Sequence, residues 1–185
     1  MRQSMLAISL AASLALALGA CSKPNDAPAG TATAEGSSGS LTAALDQAGG
    51  MKTIGTALTA TGLAAIFDGK GSYTVIAPND AAFAKLGEAG AGLMEPEQRS
   101  ALAAVLRDHI VPGELTAADI GRAIDASDDK RVKMRTMGAG DLTFSKSGRG
   151  IQVAASDGTT AMLIGPEVRS KGSVAIPADG VLKKI

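Results

Sequence analysis

The sequence predicts an α+β protein, and two patterns along the chain predict it. From Leu41 to Asp125 apolar residues recur every three to four positions, the spacing of a buried helical stripe. After Asp125 they recur every second position, the spacing of strands with one wet face. A third pattern, an apolar stretch at the N-terminus, belongs to neither half.

That stretch runs from Leu6 to Ala20 behind Arg2 and contains no acid. Its fifteen residues fall short of the roughly 20 that a helix needs to cross about 30 Å of hydrocarbon. Residues 1–20 are therefore expected to be a cleaved export signal rather than a permanent membrane span. Leu18-Gly19-Ala20-Cys21 resembles the bacterial lipobox, which implies a lipid on the Cys21 thiol and acyl chains such as palmitate at the new N-terminus. Two or more chains are what stable anchoring takes, so the resemblance implies a membrane-held protein. Ser22 after Cys21 is not the Asp that often retains lipoproteins in the inner membrane. The expected location is thus the cell envelope, at the outer membrane or its periplasmic face. Residues 22–40, SKPNDAPAGTATAEGSSGS, hold no large apolar side chain and read as a flexible linker, about 24 Å in r.m.s. span.

The body is expected to be one domain, residues 41–185. Leu41, Ala44, Leu45 and Ala48 share a helical face, and Ile54, Leu58 and Thr61 continue the spacing after the Gly49-Gly50 break. Tyr73 to Ala77 is aromatic and β-branched, hence a strand, stopped by Pro78. Asn79 or Asp80 then caps a short helix that buries Phe83 and Leu86. A longer helix is expected from Glu95-Pro96 to Pro112-Gly113, with Leu102, Val105, Leu106, His109 and Ile110 on its inner stripe. Thr116 and Asp119 cap the next helix, which turns Ile120, Ala123 and Ile124 inward. Antiparallel strands follow around Val132–Thr136, Leu142–Phe144, Ile151–Val153, Met162–Ile164 and Val174–Ile176. Tight turns at Gly138-Ala139-Gly140, Gly148-Arg149-Gly150 and Asp157-Gly158 join them.

Composition removes several functions. Lys and Arg number 18 against 18 Asp and Glu, so the electrostatic excess that nucleic-acid binding needs is absent. Loss of residues 1–20 removes Arg2 and no acid, leaving a mature charge of −1. Aromatics are 2% of the chain, too few for a base-stacking platform. One cysteine cannot close an internal disulfide, and one histidine beside an acylated cysteine cannot supply a zinc site. No G-x-S-x-G elbow, phosphate loop or G-x-G-x-x-G turn occurs. No catalytic residue, metal or cofactor is expected.

Polar clusters have simple readings. Asp125, Asp128 and Asp129 lack the alternating ligands and turn glycine of a calcium loop and read as a solvated turn. Lys130, Arg131, Lys133 and Arg135 alternate with Val132 and Met134 as the wet face of a strand next to those acids. His109, the only histidine, reads as a core or cap residue bonded to nearby backbone.

Three segments in order resemble the fasciclin domain. Tyr73-Thr74-Val75-Ile76-Ala77-Pro78-Asn79-Asp80-Ala81-Ala82-Phe83 is similar to its opening signature, a strand ending in Ala-Pro-Thr-Asp/Asn before a helix with Ala-Phe; here Asn79 stands where Thr is usual. Asp108-His109-Ile110-Val111-Pro112-Gly113 resembles the middle signature, Tyr-His or Asp-His before Val-Pro-Gly. Gly172-Ser173-Val174-Ala175-Ile176-Pro177-Ala178-Asp179-Gly180-Val181-Leu182 resembles the closing one, with Ile176, Gly172 and Ala178 where the family carries His, Asn and Ile.

The resemblance implies a wedge of two β-sheets with a packed helical layer, in which Pro78, Asn79, Asp80, Phe83, Pro112, Gly113, Asp179, Val181 and Leu182 are structural signature positions. It implies a non-catalytic module that mediates adhesion or binds protein or matrix, with a protein or extracellular polymer as partner. The alternative is an envelope carrier of a small apolar ligand such as a lipid. Asp119-Ile120 sits where some animal relatives carry a receptor-contact motif, and Asp108-His109 overlaps another. Asp108, His109, Asp119 and Ile120 are therefore the candidate partner-binding residues, set against the plainer reading of Asp119 as a cap and Ile120 as core.

Overall fold

The computed structural model describes residues 34–37 and 39–185. The expected signal, Cys21 and the linker up to residue 33 lie outside the described residues. In chain order the elements are β1 (Ala34–Ser37), α1 (Leu41–Gln47), α2 (Lys52–Ala60), a 3₁₀ segment (Leu63–Asp68), β2 (Tyr73–Pro78), α3 (Asp80–Ala84) and α4 (Gly87–Leu93). A second 3₁₀ segment (Pro96–Gln98) leads into α5 (Arg99–Arg107), β3 (Ile110–Pro112) and α6 (Ala117–Ala126). Six strands complete the chain: β4 (Arg131–Arg135), β5 (Asp141–Ser147), β6 (Gly150–Ala155), β7 (Thr160–Met162), β8 (Val168–Ser170) and β9 (Ser173–Ala178).

The strands form two sheets, one ordered β1-β8-β9-β2-β3 and the other β4-β5-β6-β7. The first is buried on both faces. Val75, Ala77, Val168 and Ala175 pack with Leu45, Ile54, Leu58, Leu102 and Leu106 of the helices. Ile76, Val111, Val174 and Ile176 point the other way, onto Leu142, Phe144 and Val153 of the second sheet and Ile120 and Ile124 of α6. This double burial explains why the central strands read as near-continuous apolar runs rather than alternating ones: every residue of β9 is buried. The second sheet is an antiparallel meander, with Val132, Leu142, Phe144 and Val153 inward. Its tightest turn joins Ser147 to Gly150, where Gly148 takes φ +58°, which a residue without a Cβ adopts without strain.

Three local expectations change. The long helix ends at Arg107, and Ile110–Pro112 forms β3, antiparallel to Tyr73–Val75 of β2. Pro112 disfavours helix at Val111, and the edge of β2 offers those two β-branched residues ladder bonds instead. The buried stripe survives, since Leu102, Val105, Leu106, His109 and Ile110 are all buried. Val174–Ile176 does not extend the meander: β9 pairs parallel with β2 from Tyr73↔Ser173 to Pro78↔Ala178. Its antiparallel neighbour is β8, a short strand without a clear alternating pattern. Finally, Ala34–Ser37, in the segment read as linker, lies parallel to β8 with an irregular register. Such an edge pairing uses backbone groups alone, so an absence of large side chains does not preclude it.

Candidate functional site

The three signature segments converge on one junction where β2, β9 and the C-terminal residues meet. At the end of β2, the Asn79 N–H donates to the Ala178 carbonyl at 3.0 Å, and Asn79 Oδ1 accepts the Ala82 N–H at 2.7 Å, capping α3. Asp80 reaches back to α2: its Oδ1 accepts the Thr53 N–H at 2.7 Å while its own N–H donates to the Gly50 carbonyl at 2.8 Å. Burial pushes the Asp80 carboxyl up, but hydrogen bonds from Thr53 and Lys52 outweigh it and hold the group below its ordinary value. Phe83 then enters the helix-side core at 8% exposure.

His109 sits at the centre of the junction, 1% exposed. Its Nε2 accepts the Leu182 N–H at 2.8 Å, which leaves the ring proton on Nδ1, where it donates to the Val105 carbonyl at 2.8 Å. The His109 carbonyl accepts the Ile76 N–H at 2.8 Å, so one residue ties α5, β2 and the C-terminal segment together. Burial holds the imidazole below its ordinary pKa, against the raising influence of the Val105 carbonyl and of Asp108 and Asp157. With both nitrogens in structural bonds, the ring offers no site for proton transfer to a bound molecule.

Asp108 is paired with Lys183, Oδ2 to Nζ 2.7 Å, with carboxyl exposure of 12%. The hydrogen bond to Asp108 raises the Lys183 pKa. Gly138 packs against this carboxylate so closely that a Cβ there would lie 1.9 Å from Asp108 Oδ1. Further along, Asp157 Oδ2 accepts the Lys184 N–H at 2.8 Å, and Asp179 Oδ1 accepts the Met162 N–H at 2.7 Å. Residues 179–184 thus form a strap fastened by Asp108, His109, Asp157 and Asp179, and by Lys85, whose Nζ donates to the Asp179 carbonyl at 3.1 Å. It carries Val181 into the helix-side core and Leu182, 0% exposed, into the core between the sheets.

Asp119 and Ile120 lie elsewhere, on α6. Thr116 and Asp119 make a full capping box: Asp119 N–H to Thr116 Oγ1 at 3.0 Å and Thr116 N–H to Asp119 Oδ2 at 3.0 Å. Hydrogen bonds from the Thr116 side chain and backbone, then Arg122, bring the Asp119 carboxyl to about 2. Ile120 is 1% exposed. Of the four candidate partner-binding residues, His109 and Ile120 are therefore corrected to interior positions: direct contact through either side chain is closed by burial. Asp108 and Asp119 reach the surface only in part and already hold protein partners.

Pro112 occupies the edge strand β3, where a missing N–H costs no ladder bond. The Gly113 carbonyl accepts the Thr74 hydroxyl at 2.7 Å. Thr74, Asp157 and Lys183 are the members of the junction that sequence reading missed. The sequence set Thr74 in the opening signature and Asp157 in a turn without giving either this role, since their partners are distant in sequence. Among the described residues no three His, Cys, Asp or Glu side chains are arranged to hold a metal ion. A cavity of about 310 Å³ opens beside the α1–α2 turn, lined by Gly50, Met51, Ile164, Pro166, Val168 and Pro177.

The model of the Fasciclin domain family matches residues 49–184, and the chain belongs to that family. Its members are in general adhesion or binding modules without catalytic activity. An uncharacterized protein of Synechocystis sp., sll1735, is 35% identical over 97 residues, covering 46% of this chain and 72% of that protein. Among solved structures, the FAS1 domain pair from the insect cell adhesion molecule Fasciclin I is similar with a TM-score of 0.58 and 18% identity. That likeness covers 74% of this chain and 46% of the pair, and at such identity it speaks for the fold alone.

Proposed function

We propose that this chain is a membrane-anchored, non-catalytic fasciclin-domain protein of the cell envelope that binds a protein or polymer partner through its surface. Family membership over residues 49–184 is the observation that carries the binding role. The junction chemistry supports it, because His109, Asp108 and Asp157 are all engaged in holding the C-terminal strap. Anchoring rests on Leu18-Gly19-Ala20-Cys21, and export to the outer membrane or periplasmic face on the same segment with Ser22. Cross-linking capture from intact cells, comparing the full chain with Cys21→Ala, tests both parts. The parent should fractionate with membranes and capture an envelope or matrix component, and Cys21→Ala should be released. A membrane-bound Cys21→Ala defeats the anchor; a parent that captures nothing defeats the binding role.

The second reading, a carrier of a small apolar ligand, is favoured by the cavity beside the α1–α2 turn. Its volume of about 310 Å³ is at the lower end of the range of small-molecule sites, and its lining is mainly apolar. Native mass spectrometry of gently purified protein would show a bound mass; a clean apo mass removes this reading.

A further inference from the structure

The overall balance of charge conceals a local asymmetry on the second sheet. Arg131, Lys133 and Arg135 are two residues apart along β4 and so share one face. In the ladder they stand opposite Ser145, Thr143 and Asp141 of β5, and Ser145 and Thr143 in turn stand opposite Gln152 and Ala154 of β6. The reverse face of the same strands carries Leu142, Phe144 and Val153, packed in the core against α6. Lys146, two residues beyond Phe144, belongs to that inner side and pairs with Asp125 of α6. The outer face therefore carries three cations against the Asp141 carboxylate on the neighbouring strand, with Asp129 beside Arg131 at the entry to β4. Asp141 serves two of them, 3.0 Å from Lys133 Nζ and 3.9 Å from Arg135 Nε, and their side chains stay 68% and 87% exposed.

We propose that the outer face of the second sheet, bordered by Arg131, Lys133 and Arg135, is a docking surface for an acidic polysaccharide. The proposal rests on the binding-module reading above and names the chemistry of its partner. Three cations at a strand's two-residue repeat make a row of about 13 Å that faces a linear chain of repeated anions. Thr143, Ser145 and Gln152 beside the row present hydroxyl and amide groups suited to sugar hydroxyls. A bilayer surface would call for Trp, Phe or Leu beside the cations, and nucleic-acid bases for aromatic platforms. The residues of this face in β4 and β5 supply neither.

The test measures binding of polygalacturonate to the full chain over a range of NaCl, with neutral dextran, a poly-glutamate peptide and phosphatidylglycerol vesicles beside it. Two triple variants are compared: Arg131→Glu, Lys133→Glu, Arg135→Glu on this face, and Lys70→Glu, Arg99→Glu, Lys171→Glu elsewhere. If the sheet triple fails to melt as the parent does, the same three positions are changed to Gln. Polygalacturonate should bind at low salt, weaken as salt rises, and weaken roughly tenfold or more in the sheet variant while the other triple matches the parent. No binding, equal binding of dextran, equal loss in both triples, or stronger binding of peptide or vesicles overturns the proposal. Applied to the envelope capture, the same variants separate the two claims. A partner retained by the sheet variant overturns this surface and leaves the binding role standing, whereas no capture by the parent overturns the binding role itself.

Discussion

His109 makes the stability of this domain depend on pH in a window where no other side chain of ordinary pKa titrates. The folded ring must accept from Leu182 at Nε2 and is fully enclosed, so burial holds its pKa below the ordinary value of 6.5. The unfolded chain takes up that proton near 6.5. Below 6.5 the unfolded state therefore binds more protons, and stability falls as pH falls until the folded ring itself is protonated. With an unfolded pKa of 6.5 and a folded one lowered by burial, lowering the pH from 7.5 to 5.5 removes at most about 1.4 kcal/mol, the limit set by proton uptake of the unfolded ring alone. The lowered carboxyls of Asp80, Asp119 and Asp157 act elsewhere: their contribution is present above the ordinary carboxylate range and is lost only as pH drops through their folded values. Since His109 is the only histidine, urea titrations at pH 7.5, 6.5 and 5.5 isolate it. The midpoint should move to lower urea with unchanged slope, and His109→Gln should lose the trend. A parent whose stability is flat across the window, or an imidazole NMR signal that titrates near 6.5, would refute the bonding assigned to the ring.

Three further substitutions probe the packing. Phe83→Ala should cost about 3 kcal/mol or more by urea denaturation, as expected for an aromatic ring in the helix-side core. Gly138→Ala should cost about 2 kcal/mol and free Lys183, because its methyl group occupies the place of the Asp108 carboxylate; a melting temperature equal to the parent's would argue against that contact. Ser173→Ala should be neutral or stabilising by up to about 1 kcal/mol, since the fully buried Ser173 Oγ meets no hydrogen-bond partner among the described residues. A loss above 1 kcal/mol would reveal one.

What was legible in the sequence is what neighbouring residues decide among themselves. The Thr116–Asp119 capping box, the Asn79 cap and the Ser147–Gly150 turn each involve residues within three positions, and all three stand as the pattern implied. The alternation of Arg131 to Arg135 likewise fixed which side of β4 faces water. The candidate site was only half legible. The signatures marked the right segments, but helical spacing could not tell a stripe residue that faces a partner from one enclosed by a C-terminal strap.

Tertiary structure decided the rest, because it depends on groups that are far apart in sequence. The run around Val174 reads as one more meander strand until β2, about a hundred residues earlier, offers it a parallel edge inside a sheet covered on both faces. The helix before Pro112 is cut at Arg107 because the other edge of β2 takes Ile110 and Val111. His109 meets Leu182 across 73 positions, and Asp108 meets Lys183 across 75. Local pattern fixes periodicity and caps, since those energies arise within a turn of chain. Which of two polar groups is enclosed, and which edge a strand joins, is settled by burial of surfaces that the sequence brings together only once the sheets have formed.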